Sequence, residues 1–126
     1  MNIQKVLLVD DDQTLLLVAQ IGLQTQQPDW QIDLAFSGLE AINLAIAEKP
    51  DLILLDIEMP GLDGKATFAR LKEINVCAYI PVIFVTAESR QELLDTYLAL
   101  GAIGIISKPF DPMSLSAHIT ELTKHL

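Results

Sequence analysis

The segment Asp51–Asp56, which reads DLILLD, decides the fold of this 126-residue chain. Its four consecutive apolar residues, bounded by aspartates, are typical of a short strand that is buried on both faces. Runs of the same kind occur at Lys5–Val9 (KVLLV), Ile80–Val85 (IPVIFV) and Ile103–Ile106, and Gln31–Phe36 alternates weakly. We therefore predict five strands, of which Asp51–Asp56 is the third along the chain.

Segments with helical periodicity separate these strands. The first helix is expected at Gln13–Gln27, and the second opens with a capping box at Ser37–Glu40 and runs to about Lys49. The third is expected at Lys65–Asn75, and the fourth at Glu88–Leu100 with Gly101 after it. A last helix is capped by Asp111 and has Pro112 in its first position. Strands that alternate with helices form a mostly parallel sheet covered on both faces, so the fold class is α/β. We expect residues 1–126 to form one domain, because no linker, repeat or low-complexity stretch interrupts them.

The composition limits the function. The formal charge is −9, from 17 acidic residues against 8 Lys and Arg. Such a surface repels the phosphates of nucleic acids, so direct binding of DNA or RNA is not expected. No apolar run approaches the roughly 20 residues that span a bilayer, and one cysteine excludes an internal disulfide. These features predict a cytoplasmic protein that does not enter the membrane.

Acidic and polar side chains follow the predicted strands. Asp10–Asp12 come after the first strand, Asp56 ends the third, Thr86 follows the fourth and Lys108 follows the fifth. Because ligands of open parallel sheets bind beyond the carboxyl ends of the strands, we expect these groups to meet at one rim.

Such a cluster suits phosphoryl transfer. Carboxylates that are held together repel each other until a divalent cation relieves them, and oxygen ligands favour Mg²⁺, with Mn²⁺ as an alternative. The expected ligands are Asp11 and Asp56, with Asp10 as a further ligand or a close neighbour. A carboxylate then acts as the nucleophile, Lys108 as a fixed positive charge, and Thr86 as a hydroxyl donor to a phosphoryl oxygen.

Four motifs together resemble the receiver domain of bacterial response regulators: VLLVDDD, LILLDIEMPGLDG, PVIFVTA and SKPF, which occur in the family's order and spacing. The resemblance implies a flavodoxin-like, doubly wound (βα)5 three-layer sandwich with strand order 2-1-3-4-5. It also implies a phosphorelay function, in which a sensor histidine kinase or a histidine phosphotransfer protein donates the phosphoryl group. The resulting aspartyl phosphate would switch a surface around helix four, strand five and helix five, to which a downstream protein partner or effector domain binds.

By the same resemblance, each matching residue has an expected role. Asp56 is the phosphoacceptor and a metal ligand, Asp11 is a metal ligand, Asp10 belongs to the acidic pocket, and Glu58 offers its backbone carbonyl to the metal. Thr86 is the switch hydroxyl, Ala87 contacts the phosphoryl group through its backbone, and Lys108 contacts it through its ammonium group. Lys108 and Pro109 are joined by a cis peptide bond. The resemblance implies a phosphoacceptor that promotes its own phosphorylation and dephosphorylation, without turnover on a separate substrate. No effector domain is expected within these residues.

The chain departs from the family's pattern at the switch position. Ile105 stands where family members commonly place an aromatic residue, and Ile103 stands at a position that is often polar. We hypothesise that the two isoleucines form an exposed apolar strip that favours a homodimer or a hydrophobic partner. Glu58 and Glu88 are expected to flank the mouth of the pocket, where their charges would slow anionic phosphodonors.

Two alternatives remain open at this point. Asp10, Asp12 and Thr14 also fit the opening motif of haloacid-dehalogenase-like phosphatases, with Asp10 as the nucleophile. That family needs an acidic pair after its lysine, whereas only Asp111 and Glu121 follow Lys108. The second alternative is a non-phosphorylated interaction module with the same fold.

Overall fold

Five parallel strands form one sheet in the computed structural model, which describes residues 2–126. The strands are β1 (Lys5–Val9), β2 (Gln31–Ala35), β3 (Leu52–Asp56), β4 (Val82–Thr86) and β5 (Gly104–Ser107). Their order across the sheet is β2-β1-β3-β4-β5, and every neighbouring pair is parallel. The α/β class and the strand order expected from the sequence are confirmed.

Each strand is followed by a helix: α1 (Gln13–Gln26), α2 (Gly38–Glu48), α3 (Gly64–Glu73), α4 (Gln91–Ala99) and α5 (Leu115–Thr123). Three of them begin at a side-chain cap, because Asp12, Ser37 and Asp63 each accept a hydrogen bond from a backbone N–H three residues later. None of the helices among residues 2–126 has both the length and the apolar character required to cross a membrane.

Two helices begin later than the sequence indicated. The helix expected from Glu88 begins at Gln91, since the Glu88 carboxylate accepts the backbone N–H groups of Ser89 and Arg90 and holds them in a loop. The last helix begins at Leu115. Asp111 caps only the turn before it, where its carboxylate accepts the N–H of Met113.

The core consists of two apolar clusters, one on each face of the sheet. Along β1, Leu7 and Val9 face α2, α3 and α4, whereas Val6 and Leu8 face α1 and α5. This alternation explains why the strands are apolar throughout: each lies between two layers of helices. The rings of Phe68, Phe84 and Tyr97 stack edge to face within the first cluster, with centroids 5.2 and 6.3 Å apart. The three-layer sandwich is therefore confirmed.

Ile103 and Ile105 do not form the exposed strip that we expected. Both side chains are half-buried, and each packs against a different cluster, Ile105 beside α4 and Ile103 beside α5. The edge position of β5 leaves them only partly covered, because no strand lies beyond it in the sheet. A hydrophobic surface at these two residues is thus smaller than the sequence suggested.

The amino end of the sheet carries structural contacts. Asp51 Oδ2 accepts the backbone N–H groups of Gln4 and Lys5, at 2.8 and 2.9 Å. Trp30 precedes β2 at this same end and packs, half-buried, against the cluster under α1 and α5. The two hydrogen bonds to Asp51 fasten the start of β1 to the start of β3.

We expect Asp51→Ala to lower the free energy of unfolding by about 1–2 kcal/mol, since two backbone donors lose a charged acceptor. Urea denaturation measures the loss. The matched control is Glu48→Ala, which removes an exposed ion pair with Lys5 at 3.6 Å and should cost less than about 0.5 kcal/mol. Equal losses in the two variants would contradict a special role for Asp51.

Candidate functional site

The carboxyl ends of four strands bring the site residues together. Asp10 follows β1 directly, Asp56 and Thr86 are the last residues of β3 and β4, and Lys108 follows β5. Backbone pairing holds these ends in register: the N–H of Lys108 donates to the carbonyl of Thr86 at 2.8 Å. The rim expected from the sequence is therefore present, and the Lys108–Pro109 peptide bond is cis.

Three carboxylates form an acidic cluster at this rim. Asp10, Asp11 and Asp56 each offer one oxygen, and the three oxygens lie within 4.8 Å of one another. Asp10 and Asp56 are buried, with 3% and 1% of their surface exposed, whereas Asp11 is exposed. One open side and three carboxylate oxygens are what a hard divalent cation requires, since Mg²⁺ keeps several of its waters.

Lys108 bridges the two buried acids. Its Nζ lies 2.7 Å from Asp10 Oδ2 and 2.9 Å from Asp56 Oδ1. Burial alone would lower the pKa of Lys108, but its contacts with Asp10 and Asp56 outweigh burial and raise this pKa above its usual value. The ammonium group therefore stays charged and partly neutralises the acidic cluster.

Asp56 has the most unfavourable environment of the three acids. Neither of its carboxylate oxygens accepts a hydrogen bond of good geometry, so Lys108 balances its charge without satisfying its lone pairs. The pKa of Asp56 is raised to about 7, because burial, followed by Asp10 and Glu58, outweighs the opposing effect of Lys108. An ionised Asp56 is thus a buried, poorly solvated carboxylate. Binding of a cation, or formation of a covalent bond to one of its oxygens, would stabilise such a group strongly.

Asp10 is satisfied in a way that Asp56 is not. Its Oδ1 accepts the backbone N–H of Asp12 at 3.0 Å, and its Oδ2 pairs with Lys108. Asp12 itself caps α1 and takes no part in the cluster. Of the two buried acids, Asp56 keeps one oxygen, Oδ2, without a partner, as a nucleophile needs, while Lys108 pairs with its Oδ1.

The loop after β3 passes close to the Asp56 backbone. Gly64 N–H donates to the carbonyl of Ile57 at 3.0 Å, and a Cβ at Gly64 would lie 2.2 Å from the carbonyl oxygen of Asp56. Gly61, in the same loop, has φ +71° and open space around it. Position 64 thus requires glycine because there is no space for a Cβ, and position 61 favours glycine because of its positive φ.

Sequence reasoning missed the contacts of two glutamates at the mouth of the site. Thr86 Oγ1 donates to Glu58 Oε1 at 2.6 Å and accepts the backbone N–H of Glu88 at 3.0 Å. The Glu88 carboxylate binds the Arg90 guanidinium through two nitrogens, at 2.8 and 3.0 Å, and this pairing lowers the pKa of Glu88. Nothing in the spacing of residues 58 and 86 signals such a contact, because it depends on side-chain rotamers.

The remaining expected positions lie around this centre. Ala87 follows Thr86 and is exposed, and Ile105 lies half-buried in β5, three residues before Lys108. The structure therefore gathers Asp10, Asp11, Asp56 and Lys108 into one cluster, with Thr86 beside it and turned towards Glu58.

Comparison with protein families gives one match over most of the chain. Residues 6–120 match the family model described as the response regulator receiver domain. The chain is 40% identical over 116 residues to the probable transcriptional regulator ycf29 of Porphyra purpurea, and these residues cover 92% of this chain and 54% of that protein. It thus spans about half the length of this relative.

A second relative and a solved structure match at nearly full length. The chain is 35% identical over 113 residues to sporulation initiation phosphotransferase F of Bacillus subtilis, covering 86% of this chain and 84% of that protein. The chemotaxis protein CheY4 of Vibrio cholerae superposes with a TM-score of 0.86 at 26% identity, covering 96% of this chain and 99% of that chain. Sequence and fold therefore agree on the same class of protein.

Proposed function

Because the chain belongs to the family of response regulator receiver domains, we propose that its Asp56 accepts a phosphoryl group from a phosphohistidine. One observation carries this proposal: Asp56 is a buried carboxylate whose oxygens accept no hydrogen bond, at the centre of an acidic cluster with one lysine. A donor of this chemistry is carried by a sensor histidine kinase or a histidine phosphotransfer protein. We propose such a protein as the partner.

In the reaction, an Asp56 oxygen attacks phosphorus, the P–O bond forms, and the P–N bond to the donor imidazole breaks. Lys108 neutralises charge on the phosphoryl oxygens from its position 2.9 Å from Asp56. Thr86 turns its hydroxyl towards the phosphoryl group, and the Ala87 backbone N–H donates to it. Attack by water on phosphorus later returns the free carboxylate, so the chain itself is the acceptor, with no turnover on a separate substrate.

The acidic cluster fits a divalent cation. Asp10, Asp11 and Asp56 would hold Mg²⁺ or Mn²⁺ together with the backbone carbonyl of Glu58. The cation supplies charge neutralisation for the transferred phosphoryl group. The residues of the site fit this group, because three carboxylate oxygens with a single ammonium leave an excess of negative charge.

Phosphorylation would change the surface formed by α4, β5 and α5. Thr86 ends β4 and pairs with Ser107 of β5, and Ile105 lies two residues before Ser107, opposite Phe84, so movement of the threonine reaches this surface through neighbouring strands. Leu98 and Leu100 are 42% and 46% exposed and give the carboxyl end of α4 exposed apolar area. We propose this surface as the binding site for a downstream protein or effector domain, and as the contact of any homodimer.

The competing functions have less support. A phosphatase with Asp10 as the nucleophile would need a free Asp10 oxygen, yet Oδ1 accepts the Asp12 N–H and Oδ2 pairs with Lys108, whereas Asp56 Oδ2 has no partner. A non-phosphorylated module would have no use for a buried acid that lacks hydrogen bonds. The family match favours the receiver function over both alternatives.

Intact-mass spectrometry after incubation with acetyl phosphate and Mg²⁺ tests the proposal. We expect an acid-stable, base-labile adduct of one phosphoryl group, lost in Asp56→Ala and in the presence of EDTA. Asp12→Ala is the matched control, since Asp12 only caps α1, and it should retain the adduct. No adduct with any phosphodonor would support the interaction module. An adduct that persists in Asp56→Ala but not in Asp10→Ala would support the phosphatase.

A further inference from the structure

The hydroxyl of Thr86 is fully committed in this structure. Thr86 is completely buried, donates its one proton to Glu58 Oε1 at 2.6 Å, and accepts the backbone N–H of Glu88 at 3.0 Å. A hydroxyl has a single proton, so a strong hydrogen bond to Glu58 excludes an equally strong one to a second acceptor. Thr86 therefore has no proton to offer at Asp56 while it is bound to Glu58.

Glu58 is not held in this contact by burial. Its residue is exposed, and it lines an open cleft with Pro60, Lys65 and Tyr97. Within residues 2–126, Thr86 is the only hydrogen-bond partner of its carboxylate. An exposed glutamate ordinarily points into water, whereas this one turns inwards to a buried hydroxyl. A charged acceptor makes the bond short and strong, so it favours one rotamer of Thr86.

We propose that Glu58 is a positioning residue that latches Thr86 in its resting conformation and so sets how readily the site takes a phosphoryl group. The proposal rests on the function proposed above for Asp56 and adds the group that opposes it. Binding of a phosphoryl group requires Thr86 to exchange Glu58 for a phosphoryl oxygen, and the latch therefore lowers the affinity of the site for that group. Removing the latch shifts the equilibrium towards the activated conformation before any phosphorylation occurs.

Substitutions at Glu58 separate the hydrogen bond from the charge. Glu58→Ala removes both, whereas Glu58→Gln removes the charge and keeps an oxygen acceptor for Thr86. Glu88→Gln is the matched control, because it removes a nearby negative charge and leaves the Glu88 backbone N–H on Thr86 intact. Glu58 and Glu88 side chains are not in the core, so we expect all three variants to fold.

The first measurement is the rotamer of Thr86 without any phosphoryl mimic, from NMR couplings to its methyl group. We expect one rotamer in the wild type, Glu58→Gln and Glu88→Gln, and averaging between rotamers in Glu58→Ala. This readout does not depend on phosphorylation. A single unchanged rotamer in Glu58→Ala would overturn the proposal.

The second measurement is the affinity for beryllofluoride with Mg²⁺, from amide shifts in NMR titrations. We expect Glu58→Ala to bind about tenfold more tightly than the wild type, and more tightly than Glu58→Gln or Glu88→Gln. In a Thr86→Val background, which lacks the hydroxyl, Glu58→Ala should raise the affinity for beryllofluoride only by the amount that comes from removing a negative charge.

The outcomes distinguish the two proposals. If the wild type binds beryllofluoride but Glu58→Ala gains the same factor with Thr86 or with Val at position 86, the latch is wrong and the function of Asp56 stands. If the wild type neither binds beryllofluoride nor forms the phosphoryl adduct, the proposed function fails, and the latch fails with it.

Discussion

Asp56→Asn should make the protein more stable than the wild type at pH 8 without divalent cations, by about 2–4 kcal/mol in the free energy of unfolding. The reason is the environment of the carboxylate: it is 1% exposed, and its oxygens accept no hydrogen bond. The pKa of Asp56 is raised to about 7 by burial first and by neighbouring acids second. An amide of the same shape carries no charge and escapes this cost.

The gain should depend on pH in a defined direction. Between the usual pKa of an aspartate and about 7, the folded protein keeps the Asp56 proton while the unfolded chain has lost it. The unfolded state then binds fewer protons, so wild-type stability falls as the pH rises through this window and levels off above it. The difference between Asp56→Asn and the wild type should shrink by half or more from pH 8 to pH 5. Urea denaturation at each pH measures it.

Mg²⁺ should narrow the difference in stability between Asp56→Asn and the wild type. A cation that binds the folded state alone stabilises it by mass action, and it acts on an intact cluster more than on one without Asp56. At pH 8 and saturating Mg²⁺, we expect the wild type to recover most of the difference. Asp11→Asn is the control without cation, because Asp11 is exposed and its loss should change the free energy of unfolding by less than about 0.5 kcal/mol. Wild-type stability equal to or above that of Asp56→Asn throughout the pH range would show that the carboxylate is not destabilising.

Gly64→Ala should be among the most damaging single-methyl changes in the chain, with a loss of about 3 kcal/mol or more. The new Cβ would lie 2.2 Å from the carbonyl oxygen of Asp56 and 2.6 Å from the Cα of Ile57. Both obstacles are backbone atoms at the end of β3, so relieving the clash requires moving the backbone of Asp56, the proposed nucleophile. We expect the rate of phosphorylation by acetyl phosphate to fall as well, because the geometry of the site depends on that backbone.

Gly61→Ala is the matched control in the same loop. Nothing lies within 4 Å of its expected Cβ, and only its φ of +71° opposes a side chain. The expected cost is about 1 kcal/mol, with phosphorylation nearly unchanged. Equal effects of the two substitutions on stability and rate would mean that loop conformation matters, and that crowding against Asp56 does not.

Apolar runs predicted the sheet well because β3 and β4 lie between two layers of helices and have no exposed face. The errors fall at the helix starts. Glu88 looked like the beginning of α4, and Asp111 like the cap of α5, since both residues favour helix N-termini. Each carboxylate instead accepts the backbone N–H two residues later, and such local hydrogen bonds compete with a helix.

In the candidate site, too, the positions of residues along the strands could be predicted from the sequence, whereas individual side-chain contacts could not. Asp10, Asp56 and Lys108 were predicted to meet because parallel strands end at one rim, and this follows from topology alone. The bond between Glu58 and Thr86 depends on rotamers of residues that are far apart in the chain. Exposure at β5 was overestimated at Ile105, because the sequence does not reveal how far a half-covered edge strand is packed by its helices.

Trp30 lies at the end of the sheet opposite to the proposed phosphorylation site, and this has a consequence for spectroscopy. It is the only tryptophan of the chain, and it lies before β2, whereas Asp10 follows β1 at the other end. Five-residue strands separate the two ends by roughly 16 Å, beyond the contact range over which side chains quench an indole. The intrinsic fluorescence of this protein should follow unfolding and remain insensitive to ligands at Asp56. Tyr97, packed near Glu58 under the loop after β3, is the better position for an optical probe of site occupancy.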